Sequence, residues 1–194
     1  MKLGYLNTRC LASSIRLLLN FLKIDFEDKM YPNHIDNRKE WLDHKNNLGL
    51  SFPNLPYLVD GDFQMTEHIP IHEYIAEKFR PELLGRSVEE RATVKMLVSV
   101  LRGFKWDHII WGCYGLDSPP KGKEGVLEKL EETLPLFEKY LGMKKFLVGE
   151  QITWVDFYFW DMLEWAEWLL EGKMEVQYPS LHRYWSLFAE LTGL

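Results

Sequence analysis

The hydrophobic pattern of this chain changes period near residue 80, and that change narrows most of what it can fold into. Before it, short apolar runs alternate with helical stretches. Lys2 to Leu6 is short and apolar, as a strand is. Leu11, Ile15, Leu18, Leu19 and Leu22 then recur at helical spacing, and Phe26 to Tyr31 reads as a second strand. A strand, a helix and a strand in that order predict a parallel pair. Pro32 to Lys39 is polar and reads as a loop, and Trp41 to Asn46 predicts a short helix stopped by Asn47 and Gly49. Apolar stretches flank Asp60-Gly61, a hairpin signal, and Thr66 to Lys78 predicts another helix.

Arg80 to Ser87 contains Pro81 and Gly85 and reads as a linker. Beyond it only helical spacing remains. Leu97, Val100, Leu101, Phe104, His108 and Trp111 fall on one face of a long helix. Val126, Leu130, Leu134, Phe137 and Leu141 mark a second, which Pro135 would kink. A third starts at Thr153, and Ser180 to Leu191 suggests a fourth. The expected architecture is an α/β domain over residues 1–80 and an all-α helical domain over residues 81–194.

Composition restricts function. Against 29 Asp and Glu stand 23 Lys and Arg, a net charge of −6. That disfavours nucleic-acid binding, which needs a basic surface to displace counterions. Cys10 and Cys113 are the two cysteines. They make no disulfide framework and no zinc spacing, so no metal is expected and a reducing cytoplasmic compartment is. No run of eighteen apolar residues predicts a membrane span, and Met1 to Cys10 does not read as a secretory signal.

Three segments carry a resemblance. The first is Leu3-Gly4-Tyr5 with Arg9 and Ile15-Arg16-Leu17-Leu18-Leu19. The second is Glu40-Trp41-Leu42, Lys45 and the run Leu48-Gly-Leu-Ser-Phe-Pro-Asn-Leu-Pro-Tyr-Leu-Val-Asp-Gly61. The third is Ile152-Thr153-Trp154-Val155-Asp156-Phe157. Together they resemble the mu class of cytosolic glutathione transferases over almost the whole chain. The resemblance implies a thioredoxin-like first domain, an all-helical second one, and conjugation of glutathione, the co-substrate, to apolar electrophiles.

It also implies roles. Tyr5 would donate a hydrogen bond to the glutathione sulfur and favour the thiolate, which is the nucleophile; a half-buried strand aromatic is the plainer reading. Leu55-Pro56 matches a cis-proline turn at which the Leu55 backbone pairs with the cysteinyl part of glutathione. Arg38, Trp41 and Lys45 match groups that hold its glycyl carboxylate, and Trp41 and Lys45, four apart, share a helical face. Asn54 is a polar neighbour of that site. Glu67 and His68 stand at the helix start that receives the γ-glutamyl carboxylate. Tyr114 matches an electrophile-pocket tyrosine, or a packed helix-end one. Phe52 matches an aromatic that inserts into a second subunit, which implies a homodimer; folded back on its own domain is the alternative. Thr153 and Asp156 form a capping-box pair, a folding signal and not a catalytic one.

The pattern departs at four places. Leu6 stands for the usual tryptophan, so only its backbone would serve glutathione. His68 stands for a serine. Gly103 or Phe104 stands for an acid that meets the γ-glutamyl ammonium across the dimer, with Asp107 one turn on. The chain ends at Leu194, where the family continues over the electrophile pocket; an open pocket, or one covered by another protein, is expected. These departures carry a second reading, a catalytically weakened binding protein or a subunit of a larger assembly. A third makes Cys10 a redox thiol at a helix start.

Overall fold

The computed structural model describes residues 1–32, 39–104 and 122–193. The chain divides into two compact units, Met1–Pro81 and Glu82–Leu194. Arg38, Asp107, His108, Trp111, Cys113 and Tyr114 lie outside the described residues.

In the first unit, β1 (Lys2–Leu6), α1 (Cys10–Phe21), β2 (Glu27–Tyr31), α2 (Lys39–Lys45), β3 (Tyr57–Asp60), β4 (Phe63–Thr66) and α3 (His68–Phe79) follow in order. The sheet runs β2-β1-β3-β4. β1 pairs with β2 in parallel and with β3 antiparallel, and β3 pairs with β4 antiparallel. This is the expected thioredoxin-like arrangement. Thr66 is a correction: it closes β4 opposite Tyr57, and α3 begins two residues later at His68. Strand pairing, not helical periodicity, claims that residue.

Alternation along β1 separates two cores. Leu3 and Tyr5 point one way and are buried, as are Ile15, Leu18 and Leu19 of α1 and Ile71 and Ile75 of α3. Lys2, Gly4 and Leu6 point the other way. There Tyr31, Trp41 and Tyr57 form a second core, with Leu6, Leu48, Leu50, Leu55 and Val59 packed against it. Gly4 has a steric reason: an added Cβ would lie 2.1 Å from the Tyr57 ring, which crosses β1 at its register partner.

Within α1, Ser14 is wholly buried, and its hydroxyl has no hydrogen-bond partner among the described residues. An unmatched buried hydroxyl costs about 1–3 kcal/mol, and alanine is also the better helix former. Ser14→Ala is therefore expected to stabilise the protein by about 1 kcal/mol, read as a raised urea midpoint at unchanged slope. A lowered midpoint would show that the hydroxyl is matched in solution.

The second unit is helical: α4 (Val88–Phe104), α5 (Gly122–Leu141), α6 (Trp154–Leu169), α7 (Met174–Gln177) and α8 (Pro179–Thr192), preceded by a 3-10 turn at Pro81–Leu84. The expected linker is thus partly ordered, with Leu83 fully buried. α6 is buried on nearly every side, from Trp154 through Leu163, so it is the central helix, and α4, α5 and α8 pack on it. α5 continues through Pro135. On α4 the buried stripe is Val94, Leu97, Val98, Leu101 and Phe104, whereas Val100 is exposed, a correction to the sequence pattern. Among the described residues no helix is long and apolar enough to cross a membrane.

Candidate glutathione site

Tyr5 lies at the C-terminal end of β1, and its side chain faces α1. The Leu11 amide, in the first turn of α1, donates to the Tyr5 hydroxyl oxygen at 3.4 Å. A phenol accepts at its oxygen and donates its own proton in another direction, so this contact orients a donor at the start of a helix. Arg16 braces the same connection: its guanidinium pairs with Asp28 at 2.8 and 3.2 Å and donates to the Thr8 carbonyl at 3.0 Å. This brace joins α1, β2 and the β1–α1 turn, and the sequence offered no pattern for it.

Cys10 opens α1 with a positive φ of 34° and is buried. Burial in this turn restricts attack on the thiol, contrary to what an exposed redox cysteine requires.

The second core gathers residues that are far apart in sequence. Trp41 is 8% exposed, stacked on Tyr57 with ring centres 6.1 Å apart and edge-on to Tyr31 at 5.4 Å. The Trp41 ring is thus a packing surface of this core. Leu6 and Leu55 pack on the same cluster. The Tyr31 and Tyr57 hydroxyls lie 3.0 Å apart, and burial, with this hydrogen bond, pushes the Tyr57 phenol well up. Lys45, at the end of α2, is half-buried.

The Leu55-Pro56 bond is cis, as its sequence context implied, and Pro56 is buried. Asn54 donates to the Glu67 carboxylate at 2.8 Å, so the turn before β3 and the start of α3 meet there. Glu67 holds a φ of 75°, and α3 begins with His68. His68 is 5% exposed, so it does not point to solvent, and its carbonyl lies 2.6 Å from His72 Nδ1. Phe52 is 82% exposed, which excludes the folded-back alternative. Phe104, one of the two residues that stand for the family's cross-dimer acid, is buried within the second unit. No metal-ligating cluster occurs among the described residues.

The model of the glutathione S-transferase N-terminal domain family matches residues 1–77, and that of the C-terminal domain family matches residues 107–191. The chain belongs to the glutathione S-transferase family. Its similarity is to mu-class members: it is 36% identical to glutathione S-transferase Mu 3 of Mus musculus over 198 residues, covering 98% of this chain and 87% of the relative. To Mu 1 of Bos taurus it is 35% identical over 196 residues, with the same coverage. Among solved structures, the glutathione S-transferase Blo t 8 superposes with a TM-score of 0.79 at 30% identity, covering 98% of this chain and 88% of that one. That from Ascaris lumbricoides gives 0.80 at 25%, covering 98% and 91%.

Proposed function

We propose that this protein is a mu-like glutathione transferase of the cytoplasm that joins the glutathione thiolate to apolar electrophiles, with Tyr5 as the thiolate-stabilising residue. The observation that carries this reading is the Tyr5 hydroxyl held at the first turn of α1 by the Leu11 amide. There the phenolic proton and the positive end of the helix favour the same anion. Leu55 offers its backbone to the cysteinyl segment. Trp41, Lys45 and Arg38 hold the glycyl carboxylate. Glu67 and His68, with Asn54 bonded to Glu67, meet the γ-glutamyl end at the start of α3, and Leu6 contributes its backbone. Tyr114 lines the electrophile side. The test is retention on immobilised glutathione followed by conjugation to an aryl halide; absence of both in freshly purified protein overturns the reading.

The same reading makes the protein a homodimer, supported by the exposure of Phe52 in its family-like run. Sedimentation should give twice the 23.1 kDa chain mass. A buried aromatic anchor contributes about 2 kcal/mol or more, so Phe52→Ser is expected to weaken association at least about 30-fold. A wild-type monomer at every concentration would rule the dimer out.

A further inference from the structure

Helix α2 has only seven residues, yet it carries Trp41 and Lys45. A cavity of about 360 Å³ beside it is lined by Lys29 and Tyr31 of β2, Tyr57 of β3, His44 of α2 and Asn47 and Leu48 beyond it. At the C-terminal half of α2 the His44 ring meets Tyr31 edge-on with ring centres 6.1 Å apart, and its N-terminal half carries two further fastenings. One fastening is the Trp41 ring in the Tyr31 and Tyr57 cluster. The other joins different elements: Lys29 of β2 donates to Glu40 Oε1 of α2 at 2.6 Å. Lys29 is itself fixed, its ammonium 5.1 Å from the centre of the Tyr31 ring.

We propose that the Lys29–Glu40 ion pair is a positioning contact that sets the tilt of α2 on the sheet, and through Trp41 and Lys45 sets affinity for glutathione without touching it. The inference rests on the proposed glycyl-end role of those two residues. Its geometry is specific. Glu40 precedes Trp41 directly, so release of the carboxylate frees the helix at the residue before its aromatic anchor. Lys45 lies about one helical turn from Trp41, so a small rotation there is carried to its ammonium. Both partners are about one-third exposed, so the pair is a modest latch and the expected effects are small multiples.

The experiment compares wild type, Lys29→Met, Glu40→Gln and the double variant. Each single change is expected to raise KM for glutathione about two- to fivefold at unchanged kcat. The double variant should lose no more than either single, because both remove one contact. Amide exchange should quicken across Lys39–Lys45 in Glu40→Gln and stay as in wild type elsewhere. Wild-type KM in the single variants, additive losses in the double, or a fall in kcat at constant KM each overturns the latch. Calorimetry with S-hexylglutathione separates this from the functional reading. If wild type binds and the variants bind equally, only the latch fails; if wild type does not bind, the proposed function fails and the latch's role in it goes too.

Discussion

Tyr5→Phe is expected to lower kcat/KM for glutathione conjugation about 10- to 100-fold near pH 7, while affinity for S-hexylglutathione stays within about twofold. A hydrogen bond to a charged acceptor contributes about 1.5–3 kcal/mol, and each 1.36 kcal/mol is tenfold in rate. The hydroxyl stabilises the thiolate more than the thiol, so its removal raises the thiol pKa toward the ordinary value of about 8.5. The ascending limb of the pH–rate profile should therefore move to higher pH by about one to two units, and the two enzymes should converge in alkali, where the thiolate forms unaided. The thioether analogue has no ionising thiol, which is why its affinity isolates the anchoring of the peptide ends. One further cost is structural: the Leu11 amide loses its acceptor at 3.4 Å, so the denaturation midpoint should fall slightly. Wild-type turnover in Tyr5→Phe, or a limb at unchanged pH, would remove Tyr5 from the chemistry.

What was legible in the sequence was chiefly what is local. The run from Leu48 to Gly61 displays the hairpin at Asp60-Gly61 because turn chemistry is written in adjacent residues, whereas the cis Leu55-Pro56 bond was implied by the resemblance that the same run carries. The change of period near residue 80 gave the two architectures for a similar reason: periodicity is counted within one element. The misreadings came from partners far along the chain. Thr66 scans as helix until Tyr57 is seen opposite it. That the Trp41 ring would be packed was not visible either, because Tyr31 and Tyr57, on two different strands, supply the surface it stacks on. Val100 sits three residues after Leu97, a helical interval, but the inward stripe is Val94, Leu97, Val98, Leu101 and Phe104. The Lys29–Glu40 pair and the Arg16–Asp28 brace had no sequence signature, because charged side chains eleven or twelve residues apart have many possible partners.

Asp156→Ala is expected to cost about 3–5 kcal/mol of stability. The Asp156 carboxylate is fully buried and accepts four hydrogen bonds: from the Leu147 amide at 2.9 Å, the Thr153 amide at 2.7 Å, the Thr153 hydroxyl at 2.8 Å and the Tyr184 hydroxyl at 3.0 Å. It thus ties the loop before α6, the first turn of α6 and the middle of α8 to one group. Burial pushes its pKa up, and the four donors oppose that rise. Alanine leaves these donors facing a cavity, and each buried donor without an acceptor costs about 1–3 kcal/mol. A domain is stable by only about 5–15 kcal/mol, so the variant should accumulate poorly at 37 °C and unfold at markedly lower urea. Thr153→Ala and Tyr184→Phe each remove one donor and leave the carboxylate in place, so each should cost about 1 kcal/mol. Asp156→Asn keeps the shape but turns an amide NH2 toward donors, and should fall between these and alanine. Activity per folded molecule, measured at low temperature where Asp156→Ala is still native, should match wild type, because the residue organises the helical core and takes no part in thiolate chemistry. A urea midpoint for Asp156→Ala close to that of wild type would show that the four bonds add nothing net, and a loss of kcat in the folded protein would show that the carboxylate does more than cap a helix.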